Sequence, residues 1–162
     1  KDKAAAGLLS EQVRAKSIPK VYWAIVRGFA PESQTIDYPI KTERGPEAQQ
    51  ALTHFKCLSQ TEIPYAVGRY ATARYSWVEI RPETGRHHQI RRHPVIGDKK
   101  HGDVKHNKFF TSEFGISRLL LHARHFSFLH PFTATEIQVE APLDEAFEKA
   151  LGILGFGKQV NL

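Results

Sequence analysis

The order of apolar and polar positions divides the chain into short strands that are separated by polar turns. Residues 20–28 read KVYWAIVRG, which is rich in β-branched and aromatic side chains and stops at a glycine, so a strand is predicted there. The alternation is strongest in Tyr70–Arg81, which is followed by a turn-forming sequence. The same reasoning predicts strands at Thr35–Ile40, Ala51–Leu58, Leu119–Leu129 and Glu136–Glu140, the last two as the arms of a hairpin.

Helical patterns are confined to three segments. Alanine, leucine, glutamate and glutamine dominate Ala4–Lys16, which predicts a short helix. Arg86–His93 is predicted to begin a second helix, with Thr84 placed to cap it. A closing helix that ends at Gly152 is predicted from three apolar residues spaced four apart, which are Leu143, Phe147 and Leu151.

Strands outnumber helices in this prediction, and their order is irregular. The predicted fold is therefore α+β, with a mixed, largely antiparallel sheet and flanking helices. The length of 162 residues, with 41% hydrophobic and 25% charged residues, fits a single globular domain over residues 1–162.

Membrane insertion and secretion are not expected. No run approaches the roughly 18 apolar residues of a spanning helix, and no apolar signal-peptide core follows the N-terminus. Cys57 is the only cysteine, which fits a reducing cytoplasm. It lies in an apolar-leaning run, where a structural role is expected.

Positive charge is concentrated in one part of the chain. The formal net charge is +6, and eight basic residues but only three acidic ones lie between Arg81 and Lys108. The same segment holds five of the nine histidines. A concentrated basic stripe of this kind is typical of a phosphate-binding surface, which favours a nucleic acid as partner.

The histidines of this segment raise the alternative of a metal site, but their spacing does not support one. The chain has no H-E-x-x-H motif, no cysteine partner there and no carboxylate at helical spacing from a histidine pair. It also lacks the G-x-S-x-G nucleophile motif and the glycine-rich phosphate loops. The histidines are therefore expected to contact phosphates or backbone, and a nucleotide-cofactor enzyme is not expected.

Three groups remain as candidates for chemistry, and each has a structural alternative. Tyr22 lies within a predicted strand, where a half-buried sheet tyrosine is equally expected. Arg91 lies beside an apolar position, from which it can point inward and pair with a carboxylate, although a solvated charge run is the simpler interpretation. The run Leu119–Ala123 is most simply part of the core.

Together these groups carry a family resemblance. Gly85–His93, GRHHQIRRH, resembles the G-R-x-H-Q-[IL]-R-x-H signature of the RluA-type pseudouridine synthases, a cofactor-free family that modifies ribosomal and transfer RNA. Three further segments are similar to family motifs in the family's order, namely Lys20–Gly28 (K-x-Y-x-A-x-V-x-G), His93–Asp98 (H-P-[IL]-x-G-D) and Leu121–Ala123 (L-H-A). A closer similarity of Val67–Tyr75 and Gly97–Asp103 favours the members that act on a T-stem uridine of transfer RNA.

The resemblance implies that uridine is isomerised to pseudouridine in structured RNA, with transfer RNA favoured as the partner and with no metal or organic cofactor. Tyr22 would stack on the flipped-out base, and Arg91 would pair with the nucleophilic aspartate and hold it ionised. Leu121 would pack over the pocket, and the protein is expected to be a monomer. Contacts with the RNA are expected from Arg86, His88, Gln89, Arg92 and the rest of the basic segment Arg81–Lys108.

The sequence departs from the family at its nucleophile. The family's aspartate lies in H-R-L-D-x-x-[TS]-S-G, upstream of the tyrosine motif, and this chain does not contain that motif. Asp2 begins a D-K-x-x-x-G sequence of matching spacing, but it lies only about 20 residues before Tyr22 and no His-Arg-Leu precedes it. The nucleophile is therefore expected upstream of this chain. A non-catalytic RNA-binding module and a synthase that acts on ribosomal RNA are the alternatives.

A second departure lies at His93-Pro94, where one histidine serves two motifs that the family separates by several residues. Either a loop has been deleted or a mobile RNA-binding loop is missing from the sequence. The second is expected, because basic loops of this kind are mobile without RNA. The catalytic domain over residues 1–162 is accordingly expected to be incomplete.

Overall fold

The fold is built on one antiparallel sheet in the computed structural model, which describes residues 2–15, 18–41 and 47–158 except the side chains of Arg92 and Lys158. Its strands, in chain order, are β1 (Lys20–Arg27), β2 (Ser33–Asp37), β3 (Ile40–Lys41), β4 (Ala48–Gln49), β5 (Leu52–Ile63), β6 (Ala73–Pro82), β7 (Leu121–Leu129) and β8 (Glu136–Glu140). Six of them form the main sheet in the order β2-β5-β6-β1-β7-β8, and β3 pairs with β4 separately. Every neighbouring pair is antiparallel.

Each of the three α-helices in the described part of the chain begins at an aspartate. The helices are α1 (Lys3–Arg14), α2 (Val104–Phe114) and α3 (Glu145–Ile153), and two 3₁₀ turns cover Ile90–Arg92 and Phe156–Lys158. Asp2, Asp103 and Asp144 accept hydrogen bonds from backbone N–H groups of the first turn, which satisfies donors that a helix leaves unpaired. Among the described residues, no helix is both long and apolar enough to span a bilayer.

The two faces of the sheet are covered differently, because successive side chains of β1 point to opposite faces. Trp23 and Ile25 join a large cluster to which α2 and α3 contribute Phe110 and Phe147. Ala24 and Val26 join a smaller cluster with residues of β6 and with Val95. This second face is covered by the chain between β6 and α2, which contains only one 3₁₀ turn.

The predicted α+β class is confirmed, and most predicted strands are found within a few residues of their expected bounds. Thr35–Ile40 divides into β2 and the start of β3, and the strand predicted at Ala51–Leu58 continues to Ile63 as β5. The first helix is found as α1, and Lys16 of the predicted span lies outside the described residues.

One predicted helix and its predicted cap were wrong. Arg86–His93 forms no α-helix, only the 3₁₀ turn Ile90–Arg92, because His88 has a left-handed backbone (φ 56°) that interrupts a helical path. Thr84 caps no helix, and its hydroxyl donates to Gln89 Oε1 at 2.9 Å instead. The helix α2 was not predicted, although Gly115, in the left-handed region at its C-cap, is a typical helix-ending residue.

Candidate active site

Six of the seven predicted site residues line one cavity of about 220 Å³ on the thinly covered face of the sheet. Larger cavities of about 320, 470 and 660 Å³ lie elsewhere on the described surface, and none of the predicted site residues lines them. The side chain of Arg92, the seventh residue, lies outside the described part of the chain. The six residues that meet in the small cavity are Tyr22, Arg86, His88, Gln89, Arg91 and Leu121.

Strands β1 and β7 place an aromatic ring and an aliphatic side chain in this cavity. Tyr22 and Leu121 both pack against the smaller core cluster. The pairing of β1 with β7 shifts register between Val21 and Tyr22, and a bulge of this kind re-aims the side chain beside it. Burial raises the pKa of the Tyr22 hydroxyl, so the hydroxyl remains protonated at neutral pH.

The loop that follows β6 is held in shape by the side chain of Gln89. Its Oε1 accepts from Thr84 Oγ1 and from Arg86 N, both at 2.9 Å. Its Nε2 donates to Leu52 O at 3.0 Å and to Thr53 Oγ1 at 2.8 Å. An amide has two acceptor and two donor positions, and here the protein fills all four. This arrangement favours a positioning role for Gln89 over the predicted contact with substrate.

Two cationic or titratable side chains form the rim of the cavity. Arg86 donates from Nε to Gln50 O at 3.0 Å, which ties it to the chain before β5. The ring of His88 stacks on His87 at a centroid distance of 3.7 Å, and its Nδ1 lies 3.2 Å from His101 Nε2. Loss of solvation, followed by the neighbouring His87 and Arg91, lowers the pKa of His88, so its ring is neutral at neutral pH.

Arg91 faces a carboxylate that belongs to this chain. Its Nε donates to Asp98 Oδ2 at 2.7 Å and its Nη2 to Asp98 Oδ1 at 2.6 Å, which is a bidentate pair. The Asp98 side chain is completely buried, whereas a quarter of the Arg91 side chain is exposed. The hydrogen bonds from Arg91 hold the pKa of Asp98 well below its usual range, so the pair is ionic at neutral pH. The sequence had indicated only a partner outside the chain.

Comparison with known proteins shows which family has these motifs. The sequence profile of the RNA pseudouridylate synthase family matches residues 1–94 of the chain. The protein named tRNA pseudouridine synthase C from Vibrio parahaemolyticus is 41% identical over 165 residues, covering 87% of this chain and 67% of that protein. The chain belongs to the RNA pseudouridylate synthase family.

Further relatives agree with this assignment. Proteins named tRNA pseudouridine synthase C from Haemophilus ducreyi and Yersinia pestis are 41% and 40% identical over 93% of this chain. The chain spans 68% and 65% of those two proteins, about two thirds of their length. Pseudouridine synthases are isomerases, and this chain is therefore assigned to an isomerase that acts on uridine in RNA.

Solved structures show the same fold. Human RNA pseudouridylate synthase domain containing 4 superposes with a TM-score of 0.69 at 24% identity, covering 95% of this chain and 69% of that one. Human RNA pseudouridylate synthase domain containing 1 superposes with a TM-score of 0.66 at 25% identity, covering 88% and 61%. The antiparallel sheet described above is thus the fold of pseudouridylate synthase domains.

Asp2 has a local structural role at the start of helix α1. Its carboxylate accepts a hydrogen bond from Ala4 N at 2.9 Å and caps helix α1, on an exposed part of the chain. Asp2 also does not line the cavity that holds Tyr22 and Arg91. The contacts of Asp2 in this structure are thus those of a helix cap.

Two other histidines of the basic segment, His93 and His106, do not line this cavity. His93 packs against Phe55 with a centroid distance of 4.3 Å, and buried His106 lies 2.8 Å from the hydroxyl of Tyr75 through Nδ1. Within the described part of the chain, no three histidine, cysteine, aspartate or glutamate side chains are grouped as metal ligands would be. Arg81 pairs with Glu79 at 2.8 Å, so some of the predicted phosphate-binding charge is matched locally.

Sequence reasoning missed Asp98 as part of the site. Asp98 ends the H-P-x-x-G-D motif and is one of the three acidic residues between Arg81 and Lys108, but its distance of seven positions from Arg91 gives no local signal of contact. One signal was available: Arg91 was expected to turn inward toward a carboxylate, and buried arginines are almost always paired. A search of nearby carboxylates would have included Asp98.

Proposed function

We propose that this pocket receives a uridine flipped out of transfer RNA and isomerises it to pseudouridine, with the T-stem uridine 65 as the target. The observation that carries the proposal is the convergence of Tyr22, Arg91 and Leu121 on one cavity from three separate parts of the chain. The choice of transfer RNA is supported by the relatives, which are named tRNA pseudouridine synthase C.

The reaction breaks the N-glycosidic bond of uridine, turns the detached uracil and joins its C5 to C1′ of the ribose. The C5 proton is lost and a proton is taken up at N1, so no atoms are gained or lost overall. The target base must leave the RNA stack to enter the pocket, which costs a few kcal/mol of unstacking energy. Stacking in the pocket is needed to offset this cost.

Tyr22 supplies the stacking surface in this proposal. Its ring lies at the cavity with one side packed on the smaller core cluster. Stacking of a base on an aromatic side chain contributes about 1–3 kcal/mol, which is comparable with the cost of flipping. Leu121 lies beside it on β7 and excludes water from the same space.

The nucleophile in this proposal is an aspartate from a segment upstream of this chain, as the family motif implies. Arg91 lines the cavity and would hold that carboxylate ionised and oriented, because an adjacent cation favours the charged form. Arg86, at the rim, would contact a phosphate of the RNA, together with other cations of the segment Arg81–Lys108.

The direct test is pseudouridine mapping in transfer RNA from a strain that lacks the gene, complemented with the full-length wild-type protein or with the Arg91→Ala variant. Pseudouridine at T-stem position 65 should disappear on deletion, return with the wild type and stay absent with the variant. Loss of a ribosomal RNA pseudouridine with transfer RNA unaffected would overturn the choice of substrate. Restoration by Arg91→Ala would overturn the role of Arg91.

A further inference from the structure

We propose that Asp98 is a positioning residue, which holds the Arg91 guanidinium in the orientation that the isomerisation requires. The proposal rests on the proposed function, because it assigns Arg91 to the nucleophilic carboxylate. It adds that Arg91 pairs with two carboxylates. One is Asp98 of this chain, and the other is the nucleophilic aspartate that the proposed function places upstream of this chain.

The burial of Asp98 shows how firmly this side chain is held. It is the only buried carboxylate among the described residues, with 1% of its surface exposed. Besides the two bonds from Arg91, its Oδ1 accepts from Lys100 N at 2.9 Å and His101 N at 3.0 Å. A buried charge is stable only when it is paired and hydrogen-bonded, and Asp98 meets both conditions.

The backbone fixes Asp98 to the strand that carries Tyr22. Arg27 N donates to Pro94 O at 3.0 Å and Ile96 N donates to Ile25 O at 2.9 Å, so residues 94–96 are bonded to β1. The side chain of Asn107 on α2 then clamps the turn, accepting from Gly97 N and donating to Asp98 O, each at 2.8 Å. The carboxylate is thus placed relative to the sheet by bonds on both sides.

Arg91 has much less support of its own. It lies in the single 3₁₀ turn Ile90–Arg92, in a part of the chain that otherwise has no regular structure. A long arginine side chain on such a segment loses considerable rotamer entropy when it is fixed, so its orientation needs a partner. The bidentate pair with Asp98 supplies that partner. Because the turn that carries Asp98 is bonded to the sheet, the pair also holds the guanidinium in place relative to the sheet.

The geometry leaves part of the guanidinium available to the cavity. A guanidinium has five N–H donors, and Asp98 takes one from Nε and one from Nη2. Arg91 lines the cavity and a quarter of its side chain is exposed, whereas Asp98 does not line the cavity and has no exposure. An anion in the cavity therefore meets the remaining N–H donors of a guanidinium that Asp98 holds in place.

A charge argument and the positioning argument make opposite predictions for Asp98→Asn. The substitution removes a negative charge beside Arg91, so pure electrostatics predicts tighter RNA binding and no loss of turnover. The positioning argument predicts a misaligned guanidinium, with RNA binding little changed and slower chemistry. Loss of the outer partner that orients a metal-ligating side chain costs about 10- to 100-fold, and we expect a loss of the same order when Arg91 loses Asp98.

The test uses the full-length enzyme and a double-mutant cycle of Arg91→Ala and Asp98→Asn, with turnover and KM for transfer RNA measured on each variant. Asp98→Asn should lower kcat about 10- to 100-fold while KM changes less than about threefold. Because Asp98 acts through Arg91, the double variant should be no slower than Arg91→Ala alone. A structural role would instead give additive losses.

Asp103→Asn is the matched control, because it removes a negative charge five residues away and asparagine can still cap α2. Its kcat should equal that of the wild type. Asp98→Asn with wild-type kcat, or additive losses in the double variant, would overturn the proposal. If Arg91→Ala itself were fully active, the proposed function of Arg91 would fail instead, so the two failures are distinguishable.

Arg91→Lys keeps the test decisive if Asp98→Asn does not fold, which circular dichroism and thermal melting will show. Lysine retains the charge that Asp98 needs but cannot form the two-pronged fork. We expect a folded variant with turnover close to that of Arg91→Ala. Turnover within about threefold of the wild type would show that the fork is unnecessary and would overturn the proposal.

Discussion

Two glycine–aspartate turns lie five residues apart, at Gly97-Asp98 and Gly102-Asp103, and each aspartate binds an arginine at 2.6 Å. Asp98 is completely buried and holds Arg91 through two bonds. Asp103 is 24% exposed, binds Arg27 through one oxygen and uses the other to cap helix α2. The same dipeptide with the same kind of partner therefore performs two different tasks.

Burial accounts for the difference. An exposed ion pair is largely screened by water and contributes about 0–1 kcal/mol. Breaking a buried pair leaves a charge without a partner and costs about 3–5 kcal/mol. The sequence of a glycine–aspartate turn near an arginine thus does not predict how much the ion pair contributes to stability, because that contribution depends on the burial of the aspartate.

Removal of the two arginines gives the largest expected contrast. In the full-length enzyme, Arg91→Ala should lower turnover about 1,000-fold, comparable with loss of an essential transition-state hydrogen-bond donor, and destabilise the fold by about 3–5 kcal/mol. Arg27→Ala should leave turnover unchanged and cost less than about 1 kcal/mol. Single-turnover pseudouridine formation and urea unfolding measure both effects, and equal losses in the two variants would remove the distinction.

Substitution of the glycines tests how tightly each turn is packed. Gly97 has φ of 80°, and a Cβ there would collide with the carbonyl of Arg118. Gly97→Ala should therefore destabilise the protein by about 3 kcal/mol or more, measured as the free energy of unfolding in urea.

Gly102 is the paired position. A Cβ there would lie 2.5 Å from Asp98 O, so Gly102→Ala should push the Asp98 turn away from Arg91. We expect a smaller loss of stability than for Gly97→Ala together with reduced turnover. Full activity of Gly102→Ala would show that the turn can shift without effect on Arg91.

The effect of acidic pH on the free energy of unfolding should also distinguish the two aspartates. The pKa of folded Asp98 lies below its unfolded value of about 3.9, so its stabilisation is complete from about pH 5 upward and is lost as the pH falls further. The difference in unfolding free energy between the wild type and Asp98→Asn should thus shrink from about pH 5 downward. A difference that stays constant to pH 3 would contradict this account.

Strand β1 carries Arg27, the partner of Asp103, at its end and Tyr22 near its start. Stacking by Tyr22 can therefore be tested beside the two aspartate–arginine pairs. Tyr22→Phe should keep its affinity for transfer RNA because the ring is retained, and Tyr22→Ala should lose about 1–3 kcal/mol of binding to a flipped base. Competition binding with the full-length enzyme measures both. Equal affinity of the two variants would exclude stacking by Tyr22.

The smallest effect is expected at the exposed turn. Asp103→Ala removes the cap of α2 and should cost about 1 kcal/mol, while Asp103→Asn should cost a few tenths at most. Thermal unfolding of the two variants, with turnover as a second measurement, checks this. A loss of turnover in Asp103→Asn would assign the exposed turn to the site.

The sequence was sufficient for features that repeat along the chain. The alternation in β1 and β6 predicted their strands, and motif order selected Tyr22, Arg91 and Leu121, which the fold brings to one cavity. The wrong helix at Arg86–His93 and the missed contact between Arg91 and Asp98 have a common physical cause. Between β6 and α2 the chain is held by side-chain hydrogen bonds rather than by regular backbone hydrogen bonds. Gln89 holds its loop with four such bonds, and Asp98 holds Arg91.

The helix α2 is a different kind of failure. Asp103 and Gly115 are strong start and stop signals, and they bracket its eleven residues. The basic residues Lys105 and Lys108 within the helix favour a phosphate-binding stripe, an interpretation that predicts no helix. Capping residues in a polar segment predict a helix independently of its charge.

The bonds between residues 94–96 and the central strand also bear on how long the backbone that carries Asp98 stays in place. Ile96 N donates to Ile25 O, and Leu120 N donates to Ile96 O, so the turn is held between β1 and the approach to β7. Amide hydrogens bonded within a sheet exchange through the opening of a larger cooperative unit, whereas those of loops exchange through local openings. We therefore expect the amides of Ile96 and Leu120 to exchange as slowly as those of β1, and the backbone that anchors Arg91 to persist as long as the sheet does.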